Sequence, residues 1–321
     1  MRRLRYAWLV AVLAFIAACG NTAGSADRVS LPPLSSLPST TAAVAVTSTS
    51  SATSTTSPPT TTTTSTTDAP TAAPTTVDAN QPPSIDASAY AVYDVGSQQW
   101  LAHLDADTAR PVGSLMKLLT AYVVMQAGDP AHVATVPAMH LDPAESAIGL
   151  YEGQRLSRAV LLRAELIVSA NDASHTLALD VGGTEEAFVG MMNDAAETLG
   201  MTQTVAVNAV GLDADGAHSS ARDMVSIATI LMQDPTFQAT VARTDAQMNG
   251  QHFSATNKLL TRYKGATGVK TGHTTNAGYC LVGSATRGDR SVIVAVLGAP
   301  SEQARIDGAS ALLDWAFDQP V

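Results

Sequence analysis

The sequence is short of cysteine and lysine, and each shortage narrows what the protein does. Two cysteines in 321 residues imply no disulfide framework. The net charge is −10, and no basic cluster follows the first few residues, which argues against nucleic acid as a partner. Seven histidines are scattered without His-x-His or His-x-x-x-His spacing, so no metal centre and no cofactor are expected. A Gly-x-Ser-x-Gly elbow is missing, which argues against a Ser-His-Asp hydrolase built on one.

The N-terminal region does not read as globular. Arg2, Arg3 and Arg5 precede an apolar run from Tyr6 to Ala18, too short to span a bilayer comfortably and laid out like a secretory signal. It ends in "IAAC", which resembles the bacterial lipobox, where the signal is cut before the cysteine and lipid is attached to its sulfur. Residues 1–18 are therefore expected to be a signal peptide and Cys19 the lipidated residue, placing the protein in the cell envelope, outside the cytoplasm and anchored to a membrane. Residues 19–84 are mostly Ser, Thr, Pro and Ala. They bury too little apolar surface to offset their ordering entropy and are expected to form a disordered stalk with a reach of roughly 45 Å. Residues 85–321 are long enough for one well-buried domain. Within it Cys280 lies in "AGYCLVGSA" and is expected to be an inert core thiol on a strand.

The domain mixes both periodicities. "YAVYDVGSQQWLAHL" reads as a hairpin turning around Asp94 to Gln98. Helices are expected from Gly113, from an N-capping Ser157 towards Val168, through "DASHTLALDVGG", from Thr184 to near Gly200, and from Ser220 to about Gln233. "AQMNGQHFSA" carries the Asn249-Gly250 hairpin signal. "TGVKTGH", "AGYCLVGSAT" and "SVIVAVLGA" read as strands, and a last helix starts at Ser301. Strands at both ends with helices between them predict an α+β fold, an antiparallel sheet packed with helices plus a helical subdomain.

Against the scarcity of lysine, Lys117 stands out. "VGSLMKLLTAYVVM", residues 112–125, is hydrophobic all round and so predicts a buried helix. Only four of the 18 basic residues are lysines, and one lies in this helix, three residues after Ser114. Arginine stays charged, whereas a buried lysine has its pKa lowered and can act as a base. Positions i and i+3 share a helix face, and the helix N-terminus offers free N–H groups to a developing negative charge. Ser114 and Lys117 are thus a candidate nucleophile and base for acyl transfer. The pattern alone is weak, because a capping serine and a solvated lysine read the same way. Two further stretches strengthen it: "SAN", Ser169 to Asn171, in an inter-helix turn, and "KTG", Lys270 to Gly272, on a strand. A closely related set in this order marks β-lactamases and penicillin-binding proteins.

With these motifs, and with "YEGQRLS", "VSANDAS", "EEAFVGMMNDAAETLGM", "NAVGLDADGAHSSARDM", "TNKLL" and "GVKTGHTTNAGYCLVGSATR", residues 85–321 resemble the serine D-alanyl-D-alanine carboxypeptidases among the low-molecular-mass penicillin-binding proteins. The resemblance implies a β-lactamase/transpeptidase-like fold and an enzyme that trims peptidoglycan stem peptides ending in D-Ala-D-Ala, with β-lactams as inhibitors. It implies that Ser114 is acylated, Lys117 accepts its proton, Ser169 relays a proton to the leaving amine and Asn171 orients the substrate amide. Lys270 would supply positive charge, Thr271 would bind the substrate carboxylate beside Gly272, and the backbone N–H groups of Ser114 and His273 would form the oxyanion hole. Arg305 falls where some relatives place an arginine near that carboxylate; a solvated helix residue is the other reading.

Two departures touch the motifs. Met116 stands where the family often has Thr, and Ala170 where it often has Gly; neither removes a reacting group. Many relatives add a β-rich domain and an amphipathic C-terminal anchor. This sequence stops after the helix carrying Trp315, so its stalk and expected lipid are read as the replacement tether. A serine β-lactamase shares the motifs, but "GMTQTVAVNAVGLD" lacks the glutamate that class A enzymes use for deacylation. Endopeptidase or transpeptidase activity on the same fold is the remaining alternative, along with a catalytically silent binding module, which would have lost a reacting group.

Overall fold

The computed structural model describes residues 81–320. The expected signal peptide, Cys19 and the stalk before residue 81 lie outside the described residues. The described residues open with a hairpin of β1 (Ala89–Asp94) and β2 (Gln99–Leu104). Its turn forms where the sequence places it: Asp94 Oδ1 accepts hydrogen bonds from the backbone N–H of Ser97 at 2.8 Å and from its hydroxyl at 3.0 Å. Asp94 is fully buried, and Arg290 Nε donates to its other oxygen at 2.6 Å.

A five-stranded antiparallel sheet of order β2-β1-β9-β8-β7 organises the domain, where β7 is Ala266–Thr274, β8 Gly278–Arg287 and β9 Arg290–Ala299. Side chains alternate faces along a strand, and here both faces are buried. Val292, Val294 and Val296 of β9, with Tyr90 and Val92 of β1, join Leu312, Leu313 and Ala316 of the C-terminal helix α8 (Glu302–Asp318). Ile293, Ala295 and Leu297, with Ala91 and Tyr93, join the helical side. This two-sided burial explains why "SVIVAVLGA" is a continuous apolar run rather than an alternating one. Cys280 is fully buried on β8, where burial pushes its thiol up to about 11.

The helical side contains α1 (Lys117–Gln126), α2 (Arg158–Arg163), α3 (Asn171–Gly182), α4 (Glu185–Thr198), α5 (Ala221–Leu231) and α6 (Pro235–Val241). The caps of α4, α5 and α8 form as the sequence indicates: the hydroxyls of Thr184, Ser220 and Ser301 accept from the N–H groups of Ala187, Asp223 and Ala304 at 3.1, 3.1 and 3.0 Å. The Asn249-Gly250 turn joins β5 (Asp245–Met248) to β6 (Gln251–Ser254), with both turn residues at positive φ as a two-residue hairpin requires. Two short strands, β3 (Val133–Thr135) and β4 (Arg155–Ser157), and the one-turn α7 (Leu259–Arg262) carried no sequence signal strong enough to be anticipated.

Two expected helices begin or end differently. The segment at Gly113 starts as a 3-10 turn, Gly113–Met116, and becomes α-helical only at Lys117. The helix from Ser157 ends at Arg163 and continues as a π-helical turn, Ala164–Val168, directly before Ser169. Ser157 occupies the N-cap position, but its side chain makes no capping bond.

Candidate active site

The site forms where the edge strand β7 meets the 3-10 turn. That approach is close enough to require glycine. A Cβ on Gly272 would lie 2.4 Å from the carbonyl oxygen of Val112, and one on Gly211 would lie 2.1 Å from that of Gly113. Neither distance is possible for real atoms, so any side chain at these positions pushes the strand or the 210–212 turn off the serine.

Tight winding also aligns the first two groups. A 3-10 turn has three residues per turn, so i and i+3 eclipse one another. Lys117 Nζ lies 3.0 Å from Ser114 Oγ, and also donates to Asn171 Oδ1 and to the carbonyl oxygen of Val210, both at 2.7 Å. That carbonyl is fixed by Asn208, whose Oδ1 accepts from the N–H groups of Val210, Gly211 and Leu212 at 3.1, 2.7 and 3.1 Å. Lys117 is fully buried in the helix that the apolar pattern identified. Burial holds its amine below the ordinary lysine range, with Glu165 and Glu145 opposing that shift in part.

The second cluster lies on the sheet side. Lys270 Nζ, fully buried on β7, donates to Ser169 Oγ and to the carbonyl oxygen of Thr271, both at 2.8 Å. Burial lowers its pKa well below the ordinary value; Lys117 and Arg305 push the same way, while Glu165 opposes them. Ser169 is left-handed, at φ 64°, so the chain reverses between the π-helical turn and α3. Asn171 opens α3 without capping it, leaving its amide free to bond across the cleft. Its Nδ2 donates to Glu145 Oε2 at 2.5 Å. Thr271 Oγ1 bonds Thr256 Oγ1 at 2.8 Å.

Ser114, Lys117, Ser169, Asn171, Lys270, Thr271 and Gly272 therefore converge at one junction. His273 is beside it: its backbone nitrogen lies 3.0 Å from where a Cβ on Gly113 would sit, and its ring packs on Tyr279 at 4.1 Å between centroids. Arg305 is placed differently from the solvated reading. It is only 6% exposed, and its guanidinium donates to the carbonyl oxygens of Gly272 and Cys280 at 3.1 and 3.2 Å. Sequence reasoning missed Glu145, Glu165, Thr256 and the Val210 carbonyl. A lone carboxylate inside the apolar "LLRAELIVSA" was a usable signal for Glu165; the Val210 contribution is backbone and left none. Among the described residues, no group of three or more His, Cys, Asp or Glu is placed to hold a metal ion.

Comparison with known proteins bears on the whole of this region. The family model for D-alanyl-D-alanine carboxypeptidases matches residues 76–301. The D-alanyl-D-alanine carboxypeptidase DacC of Escherichia coli (strain K12) is 38% identical over 267 residues, 78% of this chain and 65% of its own length. The chain thus spans about two thirds of that relative. Among solved structures, penicillin binding protein 6B from Escherichia coli matches with a TM-score of 0.71 at 34% identity, covering 74% of this chain and 79% of that one. Penicillin-Binding Protein D2 from Listeria monocytogenes, in its cefotaxime-bound form, matches with a TM-score of 0.67 at 32% identity, covering 74% of this chain and all of that one. Both neighbours confirm the mixed helix and antiparallel-sheet architecture expected from the sequence. A serine on a 3-10 turn and a lysine at that turn's C-terminal end, facing a Lys-Thr-Gly strand edge, fall inside the matched region, and this chain belongs to the D-alanyl-D-alanine carboxypeptidase family.

Proposed function

We propose that the protein is a serine D-alanyl-D-alanine carboxypeptidase of the cell envelope, trimming peptidoglycan stem peptides through an acyl-enzyme on Ser114. The observation that carries this reading is the 3.0 Å contact between Ser114 Oγ and the fully buried amine of Lys117. A neutral Lys117 takes the Ser114 proton as Oγ attacks the carbonyl carbon between the two D-alanines. The backbone N–H groups of Ser114 and His273 receive the oxyanion. Collapse breaks the C–N bond, and the proton held by Lys117 is relayed through Ser169, beside Lys270, to the departing D-alanine amine, which leaves Lys117 neutral again. Water then attacks the acyl carbon, giving a proton to Lys117, and as the ester bond to Ser114 Oγ breaks Lys117 returns that proton to the serine. Asn171 orients the substrate amide, and this requires the substrate to displace Glu145 from Nδ2. Thr271 receives the terminal carboxylate, while Arg305 braces β7 from behind through Gly272.

β-Lactams are the expected inhibitors, since their amide mimics the scissile one; a cefotaxime-bound neighbour supports this. Penicillin is expected to add its whole mass to the protein, with peptide mapping placing it on Ser114, and a D-Ala-D-Ala peptide to release D-alanine. An adduct elsewhere, or none, would remove the assignment, and rapid penicillin turnover would favour a β-lactamase instead. The acceptor, water or a second amine, decides between hydrolysis and transpeptidation.

Attachment to the membrane is the finer part of the proposal. No helix among the described residues is long and apolar enough to cross a membrane, and "IAAC" offers Cys19 for lipid. Cys19→Ser is expected to abolish lipid labelling and move the protein to the soluble fraction. An unlipidated, signal-cleaved protein still found in membranes would disprove the anchor.

A further inference from the structure

Glu165 is fully buried on the π-helical turn one step before Ser169, among the buried Ala164, Leu166 and Ile167. Neither carboxylate oxygen has a hydrogen-bond partner. Ser174 stands near enough to favour the charged form, but its hydroxyl donates to the carbonyl oxygen of Ala170 at 3.1 Å. An unpartnered carboxylate in such surroundings is costly, and an apolar side chain would suit the site better. Burial pushes the Glu165 carboxyl up to about 7, and two fully buried amines, Lys117 of α1 and Lys270 of β7, oppose that rise and favour its ionised form.

Other charged groups around the turn are engaged elsewhere. On α2, Arg158 pairs with Asp180 at 2.6 Å and Arg163 Nε turns to the Ala159 carbonyl at 3.4 Å. On α3, Asp172 accepts from the N–H groups of Ile148 and Leu150, and His175 faces Glu185 at 3.4 Å. Asp245 of β5 pairs with His252 of β6 at 3.2 Å. Glu145 acts on Lys117 from the loop ahead of the second motif, and Arg305 acts on Lys270 from α8.

We propose that Glu165 is a positioning residue for the reaction: its buried carboxylate is the shared counter-charge of Lys117 and Lys270. It lets one amine stay protonated beside the substrate while the other gives up its proton to become the base. This rests on the acyl-transfer reading above, which needs the two lysines in different charge states at the same pH. With two ammonium groups in one dry site and no carboxylate between them, each would suppress the other. An aliphatic residue at position 165 would pack as well, but would leave both amines to discharge together.

The chain has only four lysines, so selective ¹³C labelling of lysine Cε gives four resolvable titrations by NMR. In Glu165→Gln, the midpoints of Lys117 and Lys270 are expected to fall by about one pH unit, because the charge favouring both ammonium forms is gone. Those of Lys258 and Lys264 are expected to stay put, and both limbs of the penicillin acylation profile to move acidward with the first pair. A merely structural role would lower the rate without moving either limb. A folded Glu165→Gln protein with unmoved Lys117 and Lys270 midpoints overturns the proposal. So does a wild-type Glu165 carboxyl carbon that remains protonated throughout the lysine titration, a test that needs no variant. Shifted lysine midpoints without any penicillin adduct would instead reject the acyl-transfer reading and leave the counter-charge in place.

Discussion

Lys117→Arg is expected to abolish acylation of Ser114 while the domain stays folded. Arginine keeps the positive charge near Asn171 Oδ1 and the Val210 carbonyl, so an electrostatic fixture would survive the change. It does not give up its proton under any condition the protein tolerates. General-base assistance is worth about 10²–10⁴ in rate, and an unassisted serine is a poor nucleophile, so the loss should reach the upper end of that span. Lys117→Met should be equally inactive, but its stability is set by opposing effects. It removes a buried amine whose desolvation is expensive, yet leaves Asn171 Oδ1 without that donor, at about 1–3 kcal/mol, and the Val210 carbonyl with only the long 3.4 Å bond from the Ser114 hydroxyl. Its melting temperature is therefore expected to stay near that of the wild type. Penicillin acylation rates and thermal melts on both variants check this. An arginine variant that acylates at nearly the wild-type rate would show that the proton goes elsewhere.

Position 169 separates chemistry from backbone strain. Ser169 carries the hydroxyl that bonds Lys270 and also sits at φ 64°, where a Cβ is unfavourable. Ser169→Ala removes the hydroxyl and keeps the Cβ; Ser169→Gly removes both. Both variants are expected to lose about 10²–10⁴ in acylation rate, the worth of a positioned proton donor. The glycine variant is expected to be the more stable of the two by about 1 kcal/mol, since alanine fits poorly where φ is positive. Equal melts for the two would show that the left-handed turn is not strained. Near-normal acylation by the alanine variant would take Ser169 out of the proton path.

How much of this was legible in the sequence follows from where the information sits. Period and caps are local, and they placed the hairpin at Asp94, the capped helices at Thr184, Ser220 and Ser301, and the three C-terminal strands. Ser114 and Lys117 were readable because an amine in an all-apolar helix conflicts with its surroundings, and such conflicts collect at functional sites. The 3-10 winding that eclipses them was not readable, because i+3 neighbours share a face in either kind of helix. Glu145 was missed because its partner Asn171 is 26 residues away and no periodicity links them. Arg305 was undecidable because position on a helix does not reveal what the sheet presents beneath it; the carbonyls of Gly272 and Cys280 do.

The sheet order has a consequence for how the protein is made. β1 lies inside the sheet, hydrogen-bonded to β2 on one side and to β9 on the other. The ion pair that ties them, Arg290 to Asp94, joins residues 196 apart. When this hairpin leaves the ribosome, its inner edge is therefore an open template, and its partner is the last strand of the described residues. Contacts of such long range slow folding, because loop-closure entropy must be met before the contact forms. The unfinished chain carries an exposed "AYAVYD" edge throughout that wait, a surface that invites pairing with another chain. The sheet closes on that side only once β9 pairs with β1. The candidate site, built on β7 and the turn before α1, is joined to the first hairpin across the sheet only through β8 and β9.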